Sequence, residues 1–306
     1  MPAGLIPGLH HVTSICGAPQ ENYDFYAGCL GQRLVKKTVN FDAPDTYHLY
    51  YGDEAGTPGT IMTFFPFTDA GPGRAGPGMA SAVAWRLPKA AFDDWMLKLA
   101  EEAQDFEGPA ERFGERFITL RDPDGAPVEL IESDIDGDAP DGFHSVTLWE
   151  RNPEPTARLL VDHFGFAQTG TETHGGVERL RFTAEGGGRG SVIDIVRSDA
   201  PGSGRNGTGT VHHVAFRAET DEVQAAWRER LSAAGFDVTP VIDRQYFNAI
   251  YFREPGGVLF EIATDPPGFA ADEPAETMGR ALMLPPRYEA MRDRIERMLP
   301  ALRVPE

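Results

Sequence analysis

The sequence predicts an α+β fold built from four βαβββ modules, paired into two half-barrel domains. Three observations predict it. A strand, an amphipathic helix and further strands recur four times along the 306 residues. Stretches rich in Gly and Pro or Ser separate the repeats. Histidines and carboxylates return at matching places in the repeats, on strands whose side chains alternate between two faces.

Module one opens with the strand LHHVTSIC from Leu9, continues through a helix over NYDFYAGCLGQ, and adds strands at RLVKKTVNF, TYHLYYGD and GTIMTFFPF. Module two opens with SAVAWRLP near Ser81, carries the helix AAFDDWMLKLAEEA, and ends on PVELIES. Module three opens with GFHSVTLWE from Gly142, followed by the helix EPTARLLVDHF and strands including VERLRFTAE and GSVIDIVRS. Module four opens with GTVHHVAFRA, carries the helix DEVQAAWRERLSAAGF with Ala225, Ala226, Leu231 and Ala234 as its apolar stripe, and closes with DRQYFNAIYFREPGGVLFEIATD. The linkers are Thr68 to Met79, read as a spacer, Asp134 to Asp141, and Ser198 to Gly209. In chain order this gives modules one and two over 5–135, modules three and four over 141–268, and a tail over 269–306. The tail holds a helix, PRYEAMRDRIERML, with Tyr288, Met291, Ile295 and Met298 as the stripe that packs on a sheet.

Composition narrows the partners. The formal net charge is −19, which argues against nucleic acid or an anionic membrane. Two cysteines, Cys16 and Cys29, make no disulfide framework and point to a reducing compartment. No apolar run reaches transmembrane length, and MPAGLIPGLHH lacks the basic and apolar regions of a signal peptide. The expectation is a soluble cytoplasmic protein, a homo-oligomer, acting on a neutral or metal-held small molecule.

Glu261 lies between Phe260 and Ile262 in a strand-like run. A carboxylate in such surroundings is costly to bury unless something positive meets it. Laying the repeats over one another places His11, Ala82, His144 and His213 at one position, and Thr63, Glu129, Asp194 and Glu261 at another. Two histidines and a carboxylate form the ligand pattern of non-haem Fe(II) sites with open positions. Modules one and four would give His11, His213 and Glu261, whereas modules three and four would give His144, His213 and Glu261. Taken singly, each histidine is more simply a hydrogen-bonded core residue. Spacing does not choose between the two pairings, although the doubled HH in modules one and four leans toward the first. On strand alternation, His10 and His212 point elsewhere or sit at the strand entry. Phe64, Phe65 and Phe67 read equally as core or as an aromatic wall. The glycine stretches GTPGT and AEGGGRG read as turns, and there is no dinucleotide fingerprint.

The chain resembles the vicinal oxygen chelate superfamily, the glyoxalase/bleomycin-resistance/dioxygenase fold, and within it the ring-cleaving dioxygenases that act on hydroquinones. The segments that carry this are LHHVTSICGAPQENYDFYAGCLGQRLVKKTVNFD, YHLYYGDEAGTPGTIMTFFPF, GFHS, VHHVAF and YFNAIYFREPGGVLFEIATDPPGF. The resemblance implies His11, His213 and Glu261 as ligands of Fe(II), with Mn(II) or Zn(II) as substitutes in a purified sample. It implies His10, Thr13, His212, Arg244 and Tyr251 as the surrounding catalytic residues, and a small aromatic diol with O2 as the substrates. Arg244 would offset negative charge on the substrate, Tyr251 would orient it or donate a proton, and His10 or His212 would carry the substrate proton. Two other functions fit a chain of this kind: a metal-dependent glyoxalase-like isomerase or lyase, and a protein that sequesters an aromatic compound. Thr63, where an isomerase tends to supply a second carboxylate, counts against the first.

Overall fold

A computed structural model describes residues 4–199 and 202–305. Module one comprises β1 (Leu9–Cys16), α1 (Pro19–Tyr23), β2 (Arg33–Asn40), β3 (Ala43–Gly52) and β4 (Ile61–Pro66). Module two comprises β5 (Met79–Pro88), α2 (Phe92–Glu101), β6 (Phe106–Arg112), β7 (Glu115–Arg121) and β8 (Pro127–Ser133). Module three comprises β9 (Phe143–Glu150), α3 (Glu154–Arg158), β10 (Ala167–His174), β11 (Val177–Thr183) and β12 (Val192–Arg197). Module four comprises β13 (Thr210–Ala218), α4 (Asp221–Ala233), β14 (Ile242–Asp243), β15 (Phe247–Arg253) and β16 (Leu259–Pro267), and α5 (Arg292–Met298) lies in the tail.

The strands form two eight-stranded curled sheets. One runs β14-β15-β16-β13-β1-β4-β3-β2 and the other β10-β11-β12-β9-β5-β8-β7-β6. Modules one and four therefore share a sheet, joined by the antiparallel pair β1–β13, and modules two and three share the other through β5–β9. Each sheet takes one module from 5–135 and one from 141–268.

Alternation sorts the side chains. On β13 and β16, Val214, Phe216, Phe260 and Ile262 turn to the core, while His213, Ala215 and Glu261 occupy the other face. The core continues into the helical segments. Phe164 packs on Phe216 and on Trp227 of α4, with centroids 4.9 and 5.3 Å away, so module three is fastened to the sheet of module four. Tyr26 contacts Phe64 at 4.5 Å and Trp85 at 6.2 Å, joining module one to module two in the same way.

Three local expectations change. The buried stripe of α4 is Gln224, Trp227 and Leu231, with Ala225 and Ala234 exposed. Burying the large indole, with Gln224 donating to the Asn248 and Ile262 carbonyls, decides the helix rotation over the small alanines. α1 and α3 are single α turns that widen into π-helical turns over 24–29 and 159–164. In the tail, Ile295 is buried and the Tyr288 hydroxyl donates to the Phe41 carbonyl at 2.8 Å, whereas Met291 and Met298 are exposed. The linkers 68–79 and 198–209 bond to each other: Gly73 N–H donates to the Thr208 carbonyl, and Arg74 and Arg205 exchange a pair of backbone bonds at 2.8 Å. Among the described residues no helix is long and apolar enough to cross a membrane.

Candidate metal centre

In the first sheet Thr13 lies opposite His213 and His11 opposite Ala215, with Glu261 beside Ala215 on the next strand. This register brings His11, His213 and Glu261 together from three adjoining strands, with one ligand atom from each within 4.8 Å of the others. Glu261 Oε2 is 2.9 Å from His213 Nε2 and 3.4 Å from His11 Nε2, and the two Nε2 atoms are 3.3 Å apart. All three side chains are buried.

The outer histidines do not point away. His10 Nδ1 lies 2.9 Å from His11 Nδ1, and His212 Nδ1 lies 2.8 Å from His213 Nδ1. Burial, then the charge of His11, holds His10 well below the usual imidazole range, so it is neutral. In the tautomer in which His11 donates from Nδ1 to His10 Nδ1, the His11 Nε2 lone pair turns toward Glu261. His212 is lowered to about 4 by desolvation and then by His213, and it too is neutral near pH 7.

In such tautomers two imidazole lone pairs and a carboxylate converge, and among the described residues neither Glu261 oxygen has a hydrogen-bond partner. Burial works to raise the Glu261 carboxyl, and positive charge on His11 and then His213 outweighs it and puts the group well below the usual carboxylate range, a part that a bound cation would take over. A buried anion facing lone pairs calls for a cation. The N2O donor set, open on one side, fits a divalent first-row metal.

That open side is a cavity of about 150 Å³ whose lining includes His48, Tyr50, Phe65, Phe67, Phe247 and Tyr251. Phe65 and Phe67 form part of its wall, while Phe64 belongs to the core. Tyr251 stands across the strand pair from Glu261. Burial first and the Glu261 charge second push its hydroxyl well above the ordinary value, so it stays protonated. Arg244 donates through Nε to the Tyr251 hydroxyl at 3.2 Å and pairs with the exposed Asp42 at 3.1 Å. The surface ion pair and the site contact are both made by one guanidinium.

Thr13 lies on the cavity side through a chain of groups. Its Oγ1 is 2.8 Å from Thr63 Oγ1, which is 2.9 Å from His48 Nε2. His48 Nδ1 in turn lies 2.7 Å from the Tyr50 hydroxyl. Sequence reasoning passed over His48 and Tyr50, although both lie two-apart on one face of β3, with Tyr50 opposite Thr63.

The model of the Glyoxalase/Bleomycin resistance protein/Dioxygenase superfamily matches residues 8–130 and 142–262. The chain belongs to this superfamily. Superfamily relatives include a Bacillus subtilis protein named "Putative ring-cleaving dioxygenase MhqO", 48% identical over 95% of each chain. The Chlorohydroquinone/hydroquinone 1,2-dioxygenase of Sphingobium indicum is 36% identical over 96% of each chain. Among solved structures, a "putative dioxygenase" of Bacillus subtilis superposes with a TM-score of 0.93 at 46% identity, covering 99% of this chain and 100% of the other. Glyoxalase I of Zea mays shares the superfamily fold, with a TM-score of 0.65 at 13% identity over 84% of this chain and 92% of its own.

The second sheet repeats the register without the ligands. Ala84 lies opposite Ser145 and Ala82 opposite Thr147. Ala82 and Ser145, rather than His144, therefore take the places of His11 and His213. A shift of one residue moves a strand side chain to the other face. His144 corresponds to the outer histidines: its Nδ1 lies 3.0 Å from Ser145 Oγ, and its Nε2 3.2 Å from Glu115. Asp194, the counterpart of Glu261, is met by Arg181 at 2.9 and 3.0 Å and by Arg179 at 3.3 Å, and Glu129 by Arg112. Fixed guanidinium groups stand where the first sheet would hold its cation.

Proposed function

We propose that the protein is an Fe(II)-dependent ring-cleaving dioxygenase of the extradiol type, inserting O2 into a hydroquinone or catechol ring. The observation that carries the reading is the convergence of His11 Nε2, His213 Nε2 and Glu261, open to an aromatic-walled cavity. The activity named for the Sphingobium indicum relative supports it. Iron held by these three residues would supply a Lewis acid for the phenolic oxygen and a path for electrons from ring to dioxygen.

The remaining steps fall to side chains of this chain. Phe65, Phe67 and Phe247 seat the ring and exclude water. His212 at the rim takes up the substrate hydroxyl proton and holds it only while its Nδ1 contact to His213 opens, because that contact otherwise occupies its one lone pair. Protonated Tyr251 orients the substrate and returns a proton, and Arg244 holds the Tyr251 hydroxyl and offsets negative charge on the oxygens. His10 fixes the His11 tautomer, and Thr13 is held by Thr63, which His48 holds in turn. No external reductant enters, because the ring supplies the electrons. The same reading makes the protein a cytoplasmic homo-oligomer with no nucleic-acid or membrane partner.

A glyoxalase-like isomerase is the second reading. Thr63 counts against it, since its hydroxyl is committed to Thr13 and His48. Oxygen uptake by protein loaded anaerobically with Fe(II) tests the choice, with hydroquinone, methylhydroquinone, chlorinated hydroquinones and catechol as substrates. Uptake matched by ring opening is the expected result. No uptake with any of them at full iron occupancy would favour the isomerase.

A further inference from the structure

We propose that the metal-free sheet of modules two and three carries a second ligand site, for a planar organic anion such as an aromatic carboxylate. The site is a cavity of about 460 Å³ whose lining includes Arg74, Arg121, Arg179, Trp149, Val177 and Val196. It is larger than the cavity of about 150 Å³ beside the metal centre.

Charge and shape both point to the ligand class. The chain as a whole is strongly acidic, at −19, yet three arginines gather here against one acidic lining residue. That residue, Asp124, already accepts from the Gly17 N–H at 2.9 Å through its carboxylate. Among the described residues the Arg74 guanidinium has one bond, to the Ser203 carbonyl, and the Arg121 guanidinium bonds the exposed Glu107 and the Gly125 carbonyl. Trp149 and the two valines give an apolar wall for a ring, and guanidinium groups give planar, two-pronged recognition of a carboxylate. Of the guanidinium groups that meet the buried carboxylates of this sheet, Arg179 also lines the cavity, and Arg74 and Arg121 add two exposed ones at its mouth. Arg179 reaches from Asp194 and Thr147 toward this cavity and also lines a neighbouring one of about 460 Å³ with Arg112. Burial and then the charge of Arg112 work against the Arg179 cation, a strain that an arriving anion relieves.

Calorimetric titration of the Fe(II)-loaded protein with 2-naphthoate tests the site, with 2-naphthamide as the uncharged control. Saturable 2-naphthoate binding is expected, weakened by about tenfold or more in the double variant Arg74→Gln/Arg121→Gln. The amide should bind more weakly by a similar factor. Glu261→Gln, which disables the other site, should leave the binding unchanged. Trp149→Phe should remove any fluorescence quenching that accompanies it. The proposal is overturned by an absence of saturable binding, by equal binding of acid and amide, by indifference to the arginine changes, or by loss of binding in Glu261→Gln.

Discussion

Tyr251 faces Glu261 across the β15–β16 ladder, and its ring sits edge-on to that of His213 at 5.8 Å. The hydroxyl that Arg244 holds is therefore beside the proposed metal ligands, and the proposal leaves it outside the ligand set. Tyr251→Phe is expected to keep its iron and lose turnover by roughly a hundred- to ten-thousand-fold, the usual scale for one general acid–base group. Arg244→Ala should behave similarly. Metal content measured beside kcat checks this, and iron loss in Tyr251→Phe would move the residue into the ligand set.

The register of the second sheet gives a contrasting expectation. His144→Ala should retain full iron and near-normal turnover, because Ser145 rather than His144 holds the ligand-equivalent place. The variant loses the contacts to Ser145 and Glu115, so a modest drop in melting temperature is expected. Elemental analysis of the purified variant is the check.

Much of this was legible in the sequence. Doubled histidines at the start of modules one and four, and a carboxylate in an apolar strand, mark the candidate ligands. Strand alternation sent His10 and His212 elsewhere, whereas a register irregularity between Leu9 and His11 and the reach of the rings bring each Nδ1 to its neighbour's. The misplacement of His144 shows where that reading stops: GFHS offers one histidine, and nothing in the spacing says which of two adjacent residues faces inward. His48 was invisible for a different reason. Its role depends on Thr63 reaching it from the neighbouring strand β4, a tertiary contact with no local signature, while Tyr50 two residues on reads as ordinary strand alternation. On α4, the bulk of Trp227 decided a rotation that the alanine spacing had pointed elsewhere.

A pH effect follows from a carboxyl pair between the sheets. Glu150 is fully buried, and among the described residues neither of its oxygens has a hydrogen-bond partner. Burial first and Glu254 second push it from 4.5 up to about 8, and burial raises Glu254 as well. Below about pH 4.5 folded and unfolded chains both carry the proton. Between there and about pH 8 only the folded chain keeps it, so stability falls as pH rises, at about 1.4 kcal/mol per unit for one proton. Glu150→Gln should flatten this slope and exceed the wild type in stability above pH 8. Denaturant unfolding across the range checks it, and parallel curves for the two proteins would refute it.

The central claim is that His11, His213 and Glu261 hold the iron that opens an aromatic ring. Oxygen consumption by Fe(II)-loaded protein given hydroquinone without NADH, compared between wild type and Glu261→Gln, tests it most directly. The account predicts one O2 per ring opened by the wild type, and neither stable iron nor uptake in a folded Glu261→Gln. Wild-type turnover by an iron-free Glu261→Gln preparation would contradict it.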